Sequence, residues 1–187
     1  VKNREVEIFT RGGRAFAVPV YQEMFERRVT RRPPTTPQLR RDTMVAWYRD
    51  LARCLDYLQT RPDIDEDKLG YHGLSGGAGF GVIFMAMETR FKAAALLSGG
   101  LYWVDYVPAY YAPERDFVHF APRVRTPVLM QNGKYDFLMP FESSVKRLQR
   151  LPLDALKIDR TVVAGLGSNR EHERLAQGAV VLARALG

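Results

Sequence analysis

Residues 68–87 read "KLGYHGLSGGAGFGVIFMAM", and at their centre Gly73-Leu74-Ser75-Gly76-Gly77 fits the pattern G-x-S-x-G. Glycines on both sides of a serine permit a sharp strand-to-helix turn in which the seryl backbone is strained and its hydroxyl projects outward. Such a turn needs a strand before it and a helix after it. Residues 68–72 supply a short Leu- and Tyr-containing segment, and "GAGFGVIFMAMETR" supplies apolar residues enough for a helix running back along a sheet. The pentapeptide alone also fits a Gly-rich turn that merely packs helix on strand. A phosphate-binding loop is the poorer reading, because no GK[ST] ending follows and no G-x-G-x-x-G stands at a first strand.

Outward from this turn the chain alternates. Met44, Trp47, Tyr48, Leu51, Leu55 and Leu58 recur at three- and four-residue intervals and predict a helix over 42–59. Before it, a short amphipathic stretch at 6–9 and the Gly12-Gly13 turn lead into "AFAVPVY", residues 15–21, which reads as a buried strand; a loop holding Pro33, Pro34 and Pro37 follows. Residues 91–100 and 126–133 are two further apolar strands ending in glycine, with an aromatic-rich, lid-like insertion at 101–120 between them. A helix over 141–151, a strand over 155–163 and a helix over 171–186 complete the series. Strands alternating with helices imply an α/β fold with a mostly parallel sheet and helices on both faces.

The chain has 187 residues, 46% of them hydrophobic, which suits one domain spanning 1–187. A single cysteine, Cys54, rules out an intrachain disulfide and favours a reducing, cytoplasmic setting. The longest apolar run, near 82–87, is too short to span a bilayer, and no signal pattern precedes it. The first residue is Val1, which fits an excised fragment, a processed chain or an alternative start codon. The net charge is +7, with Arg27, Arg28, Arg31, Arg32, Arg40 and Arg41 gathered around the proline loop. No aromatic residue lies between Val29 and Arg41 and no nucleic-acid motif accompanies the cluster, so it reads as a solvated or partner-contacting loop.

In parallel sheets functional groups collect at the carboxyl ends of strands. Ser75 occupies one such place. "LMQNGKYDFLMP" puts Asp136 just past another, where a carboxylate can orient an imidazole or simply cap the turn after Gly133. "VVAGLGSNREHERL" offers His172, several residues beyond the end of the last predicted strand. His72 precedes the turn on a strand and reads as a packed core residue, whereas His119 lies in the insertion. Three histidines so widely spaced give no metal-ligand signature, and neither metal nor cofactor is expected.

The stretches "RPDIDEDKLGYHGLSGGAGFGVIFMAMETRFKAAALLSGGL" and "FAPRVRTPVLMQNGKYDFLMP" resemble the α/β-hydrolase superfamily. The similarity is to bacterial dienelactone-hydrolase-like and acetylxylan-esterase-like domains, some of which are joined to serine/threonine kinases. It runs from about Gly13 onward and is strongest over 61–140. The resemblance implies Ser75 as nucleophile, Asp136 as triad acid and the Gly76 N–H as an oxyanion donor, in the superfamily's chain order of Ser, Asp and His. It also implies a Gly-Gly-His turn after the last strand; the matching residues here are Gly165-Leu166-Gly167, so Gly167 stands where histidine is expected. His172 either substitutes from a shifted loop or lies on the last helix. The family's first strands and the loop with the second oxyanion donor would precede residue 1, making this an N-terminally truncated fold with residues 15–21 as a sheet edge prone to self-association. The expected function is a serine hydrolase of small-molecule carboxylic esters. Two alternatives stand beside it: a degenerate hydrolase-fold module for binding or regulation, and a prolyl-oligopeptidase-like peptidase without a propeller.

Overall fold

The computed structural model describes residues 3–29, 36–100, 116–133, 135–146 and 155–157. Helix α1 (Asn3–Arg11) and helix α2 (Pro37–Gln59) precede strand β1 (Gly70–Leu74). Helix α3 (Gly76–Met87), strand β2 (Ala93–Leu97), a single-turn helix α4 (Phe117–Phe120), strand β3 (Val128–Gln131) and strand β4 (Ala155–Lys157) follow. The strands form one parallel sheet in the order β1-β2-β3-β4. Each crossover therefore steps the same way across the sheet. Because such crossovers are right-handed, the one from β1 to β2 sets the face of the sheet on which α3 lies.

The strand register shows that face being buried. Tyr71 pairs with Ala94 and Gly73 with Leu96; Ala94 and Leu96 in turn pair with Val128 and Met130. Side chains alternate along a strand, so these six residues share one side. Ala94, Leu96, Val128 and Met130 are all buried, packed with Val82, Ile83 and Phe84 of α3. Removing each larger apolar side chain from water stabilises the fold by roughly 1.5–3 kcal/mol. Helix α2 packs against α3 through Trp47 on Phe80 and Tyr48 on Phe84, burying Met44, Leu51 and Leu55, with the Tyr48 hydroxyl donating to the Met87 carbonyl at 3.1 Å. On the opposite face, the His72 ring meets Phe9 of α1 at 5.1 Å and Phe16 at 6.3 Å between centroids. His72 is thus a packed residue, as its position predicts, and both faces carry helix.

Two boundaries differ from those expected. Helix α2 begins five residues earlier than periodicity indicates, because the Thr36 hydroxyl accepts the Leu39 N–H at 3.2 Å and Pro37 fits the first helical turn. Residues 15–21 form no strand and are not buried throughout: Ala15, Ala17 and Val18 are exposed. Pro19 has no N–H to give a ladder. The chain is tied to α2 instead, where the Gln22 N–H donates to Asp50 at 2.7 Å and the Trp47 indole N–H donates to the Gln22 carbonyl at 2.8 Å. Among the described residues the sheet's edge strands are β1 and β4, and residues 15–21 are neither. Of the helix expected over 141–151, the described part is a π-helical turn, Phe141–Val145. The helix over 171–186, and residues 101–115 of the insertion, lie outside the described residues.

The α3–β2 connection is held by a charged cluster. Buried Glu88 takes two hydrogen bonds from the Arg90 guanidinium, at 2.8 and 2.7 Å, and Arg90 also donates to Asp56 of α2 at 2.7 Å. The Arg90 hydrogen bonds hold the Glu88 carboxyl below its ordinary value of 4.5, so this carboxylate contributes stability above that pH and loses it as pH falls through the lowered value. Replacing Arg90 with methionine leaves Glu88 charged and unpaired. Urea titration of Arg90→Met at pH 7 is expected to show a loss of about 3 kcal/mol, shrinking toward acid pH as Glu88 takes up a proton.

Candidate active site

Ser75 stands between β1 and α3 with φ 52° and ψ −113°, a backbone conformation that non-glycine residues rarely adopt. The strain is of order 1–3 kcal/mol and persists only where neighbours impose it. They do so at both backbone groups. The Ser75 N–H donates to the Leu97 carbonyl at 2.8 Å, carrying the β1–β2 ladder one residue past the end of β1. The Ser75 carbonyl accepts from the N–H groups of Ala78 (3.0 Å) and Gly79 (3.1 Å) in the first turn of α3. The serine itself is exposed.

The glycines are explained by close approach. A Cβ on Gly73 would meet the Gly77 carbonyl oxygen at 2.5 Å, and one on Gly79 would meet the Phe117 ring at 2.8 Å. The helix therefore starts directly above the strand it left, and Phe117 of α4 lies against it. Gly76 and Gly77 are the first two residues of α3. N–H groups at that position have no intrahelical acceptor and sit at the positive end of the helix dipole.

Asp136 follows β3 and is half-buried. Its Oδ1 accepts from the N–H groups of Leu138 (3.0 Å) and Met139 (2.9 Å), and its own N–H donates to the Gly133 carbonyl at 3.3 Å. One carboxylate oxygen thus caps its own loop; the other takes no part in those bonds. β2 lies between the strands that carry Ser75 and Asp136, so the two residues stand at the carboxyl ends of parallel strands separated by one other. His172 and Gly167 lie outside the described residues. His119 is exposed on α4. Among the described residues no cluster of His, Cys, Asp and Glu fits a metal ion, and no helix is long and apolar enough to cross a membrane. Cys54 is half-buried on α2, and burial pushes its thiol above the ordinary value.

Two further residues at these strand ends escape motif reading. Ser98, just past β2, also has positive φ, 50°, and its N–H donates to the Gln131 carbonyl at 2.7 Å. The signal was present, since Leu-Ser-Gly-Gly occurs at 74–77 and again at 97–100, and the register pairs Leu74 with Leu97. Asn132 is buried, and its side-chain amide donates to the Gly99 carbonyl at 2.6 Å, fastening the loop after β2 to the loop that carries Asp136. Beside Asp136, Tyr135 and Phe137 are 84% and 85% exposed, so this end of the sheet presents aromatic surface to solvent.

No protein-family model and no curated protein sequence matches the chain. Solved structures do. A puromycin-hydrolyzing peptidase from Mycobacterium tuberculosis matches with a TM-score of 0.55 and 20% identity, over 74% of this chain and 24% of that one. The acylaminoacyl peptidase of Pyrococcus horikoshii matches at 0.52 and 16% identity, over 63% and 23%. A puromycin hydrolase matches at 0.51 and 18% identity, over 65% and 23%. The chain thus spans about a quarter of the length of these proteins. Together with the parallel sheet, these likenesses show that the fold is that of the α/β-hydrolases.

The two flanking glycines differ in what they tolerate. Gly73→Ala is expected to lose at least about 2 kcal/mol of stability, because its methyl has a backbone carbonyl in the way. Gly77→Ala, whose Cβ would find nothing nearer than the Tyr71 hydroxyl at 4.0 Å, is expected to be neutral or up to about 1 kcal/mol more stable through helix propensity. Chemical denaturation of both variants checks the contrast.

Proposed function

We propose that the chain carries a serine hydrolase site acting on small carboxylic esters, of the dienelactone-hydrolase-like or acetylxylan-esterase-like kind. The observation that carries this reading is the backbone of Ser75, an exposed serine held at φ 52° between a strand end and a helix N-terminus. Ser98 shares the positive φ, but of the two only Ser75 is exposed and caps a described helix. His172 takes the proton from the Ser75 hydroxyl as its oxygen bonds to the ester carbonyl carbon. The Gly76 N–H receives the resulting oxyanion. Collapse expels the alcohol, which takes the proton from the imidazolium and leaves an acyl-enzyme; water then repeats the sequence, releasing the acid and restoring the serine. Asp136 holds the imidazole tautomer. Tyr135, Phe137 and Leu138 offer the substrate an apolar contact beside the site.

A second reading, peptidase activity, is favoured by the similar solved structures, which are named as peptidases and puromycin hydrolases. Ester and amide substrates divide the two. Turnover of p-nitrophenyl acetate without turnover of an acyl-amino-acid p-nitroanilide supports the esterase; the reverse supports the peptidase.

A fluorophosphonate probe is expected to label Ser75, and Ser75→Ala is expected to abolish labelling without unfolding. A folded but unlabelled protein supports a binding module instead. General-base assistance contributes roughly 10²- to 10⁴-fold in rate, so His172→Ala is expected to slow ester turnover by at least about 10²-fold. Indifference to His172→Ala combined with activation by Gly167→His would remove His172 from the mechanism.

A further inference from the structure

The turn that presents Ser75 is closed by a side chain that no motif singles out. Tyr71, on β1, points to the α3 face of the sheet, where its ring meets Phe84 at 6.2 Å and Phe91 at 5.6 Å between centroids, both edge-on. Its hydroxyl donates to the carbonyl of Gly77 at 2.7 Å. Burial pushes the phenol well above its ordinary value of 10.0, so the group stays protonated and able to donate at any pH the protein meets. The ring is seated between two glycines: a Cβ on Gly73 would meet it at 2.8 Å and one on Gly81 at 2.7 Å. The Gly77 carbonyl is thereby held from two sides, by the hydroxyl of Tyr71 and by the Gly73 backbone beneath it.

Gly77 belongs to the first turn of α3, next to Gly76, whose N–H the proposed function assigns to the oxyanion. Helix N-termini fray, because their first N–H groups bond to nothing within the helix. Here the first turn also bears Ser75's strain, and relaxing that strain would swing the Gly76 N–H away. The Tyr71 bond opposes this movement from inside the core. The Gly77 carbonyl also accepts from the helix's own i+4 N–H, so this bond adds restraint rather than satisfying an orphan.

We propose that Tyr71 is a positioning residue for acyl transfer at Ser75: its hydroxyl clasps the Gly77 carbonyl and so fixes the Gly76 N–H for the oxyanion. This rests on the hydrolase reading above. The clasp itself does not, and the two parts are separable by experiment.

Tyr71→Phe keeps the ring and removes only the bond. Amide hydrogen exchange is expected to rise about tenfold at residues 78 and 79, whose N–H groups bond to the Ser75 carbonyl, while the rest of α3 is unchanged. Displacing an oxyanion donor costs less than deleting one, which typically costs 10²- to 10³-fold, so kcat for p-nitrophenyl acetate is expected to fall about tenfold with KM unaltered. Phe91→Leu, which loosens the other side of the same ring but leaves the hydroxyl, serves as the packing control and is expected to lower Tm without lowering kcat. Unchanged exchange at 78 and 79 in Tyr71→Phe would overturn the clasp. A matching kcat loss in Phe91→Leu would overturn the positioning role in favour of general packing, as would a Tyr71→Phe enzyme with unchanged kcat. If the parent protein neither turns over ester nor reacts with fluorophosphonate, the hydrolase reading and the catalytic half of the proposal fall together, while the exchange result still decides the clasp.

Discussion

The contact between Gly73 and the Gly77 carbonyl is the constraint on which the rest depends. With a hypothetical Cβ only 2.5 Å from that oxygen, the first turn of α3 sits directly on the end of β1. A chain that leaves a strand and starts a helix over the same spot has room for one residue between them, and Ser75 takes the positive φ that this requires. Its N–H is then captured by Leu97 and its carbonyl by the helix, so the hydroxyl-bearing residue is the fixed point between sheet and helix rather than a loop that wanders. Further along α3, Gly79 and Gly81 admit Phe117, Tyr71 and Leu96 to within 2.7–2.8 Å of where a Cβ would stand. The same lack of side chains that lets the helix lie flat on the sheet creates the exposed, strained serine.

How far the sequence discloses this fold follows from where local and global preferences agree. Strands β2 and β3 were legible as short apolar runs leading into glycine, β1 from the G-x-S-x-G turn that follows it, and α2 because its apolar residues keep helical spacing. Residues 15–21 mislead for the same reason: they are apolar and flanked by a glycine turn, yet Pro19 and the bonds from Gln22 to α2 leave them outside the sheet. A strand is made by its neighbour's backbone, and composition alone does not say whether a neighbour is there. The earlier start of α2 depended on Thr36 and Pro37, a capping signal that apolar periodicity overlooks.

The candidate site was legible where a motif concentrates it and hidden where geometry assembles it. Ser75 and Gly76 are read from five consecutive residues. Asp136 is read from its place beyond a strand, and the capping reading describes its Oδ1, which accepts from the Leu138 and Met139 N–H groups. Tyr71, Ser98 and Asn132 belong to no motif, because what each does is defined by a partner on another strand or on the helix: Gly77 for Tyr71, Gln131 for Ser98, Gly99 for Asn132. The repeated Leu-Ser-Gly-Gly was the one local hint. It marks two adjacent strands ending in similar strained turns, with the second fastened to the loop of Asp136.

The central claim is that the geometry imposed on Ser75 makes its oxygen a nucleophile. It is tested most directly by mixing the protein with excess p-nitrophenyl acetate, quenching in acid within the first turnover and measuring intact mass followed by peptide fragmentation. The expected result is a mass increase of one acetyl group, located on Ser75 and accompanied by a burst of one equivalent of p-nitrophenol. An unmodified chain despite steady ester turnover, or an acetyl group on any other residue, would contradict it.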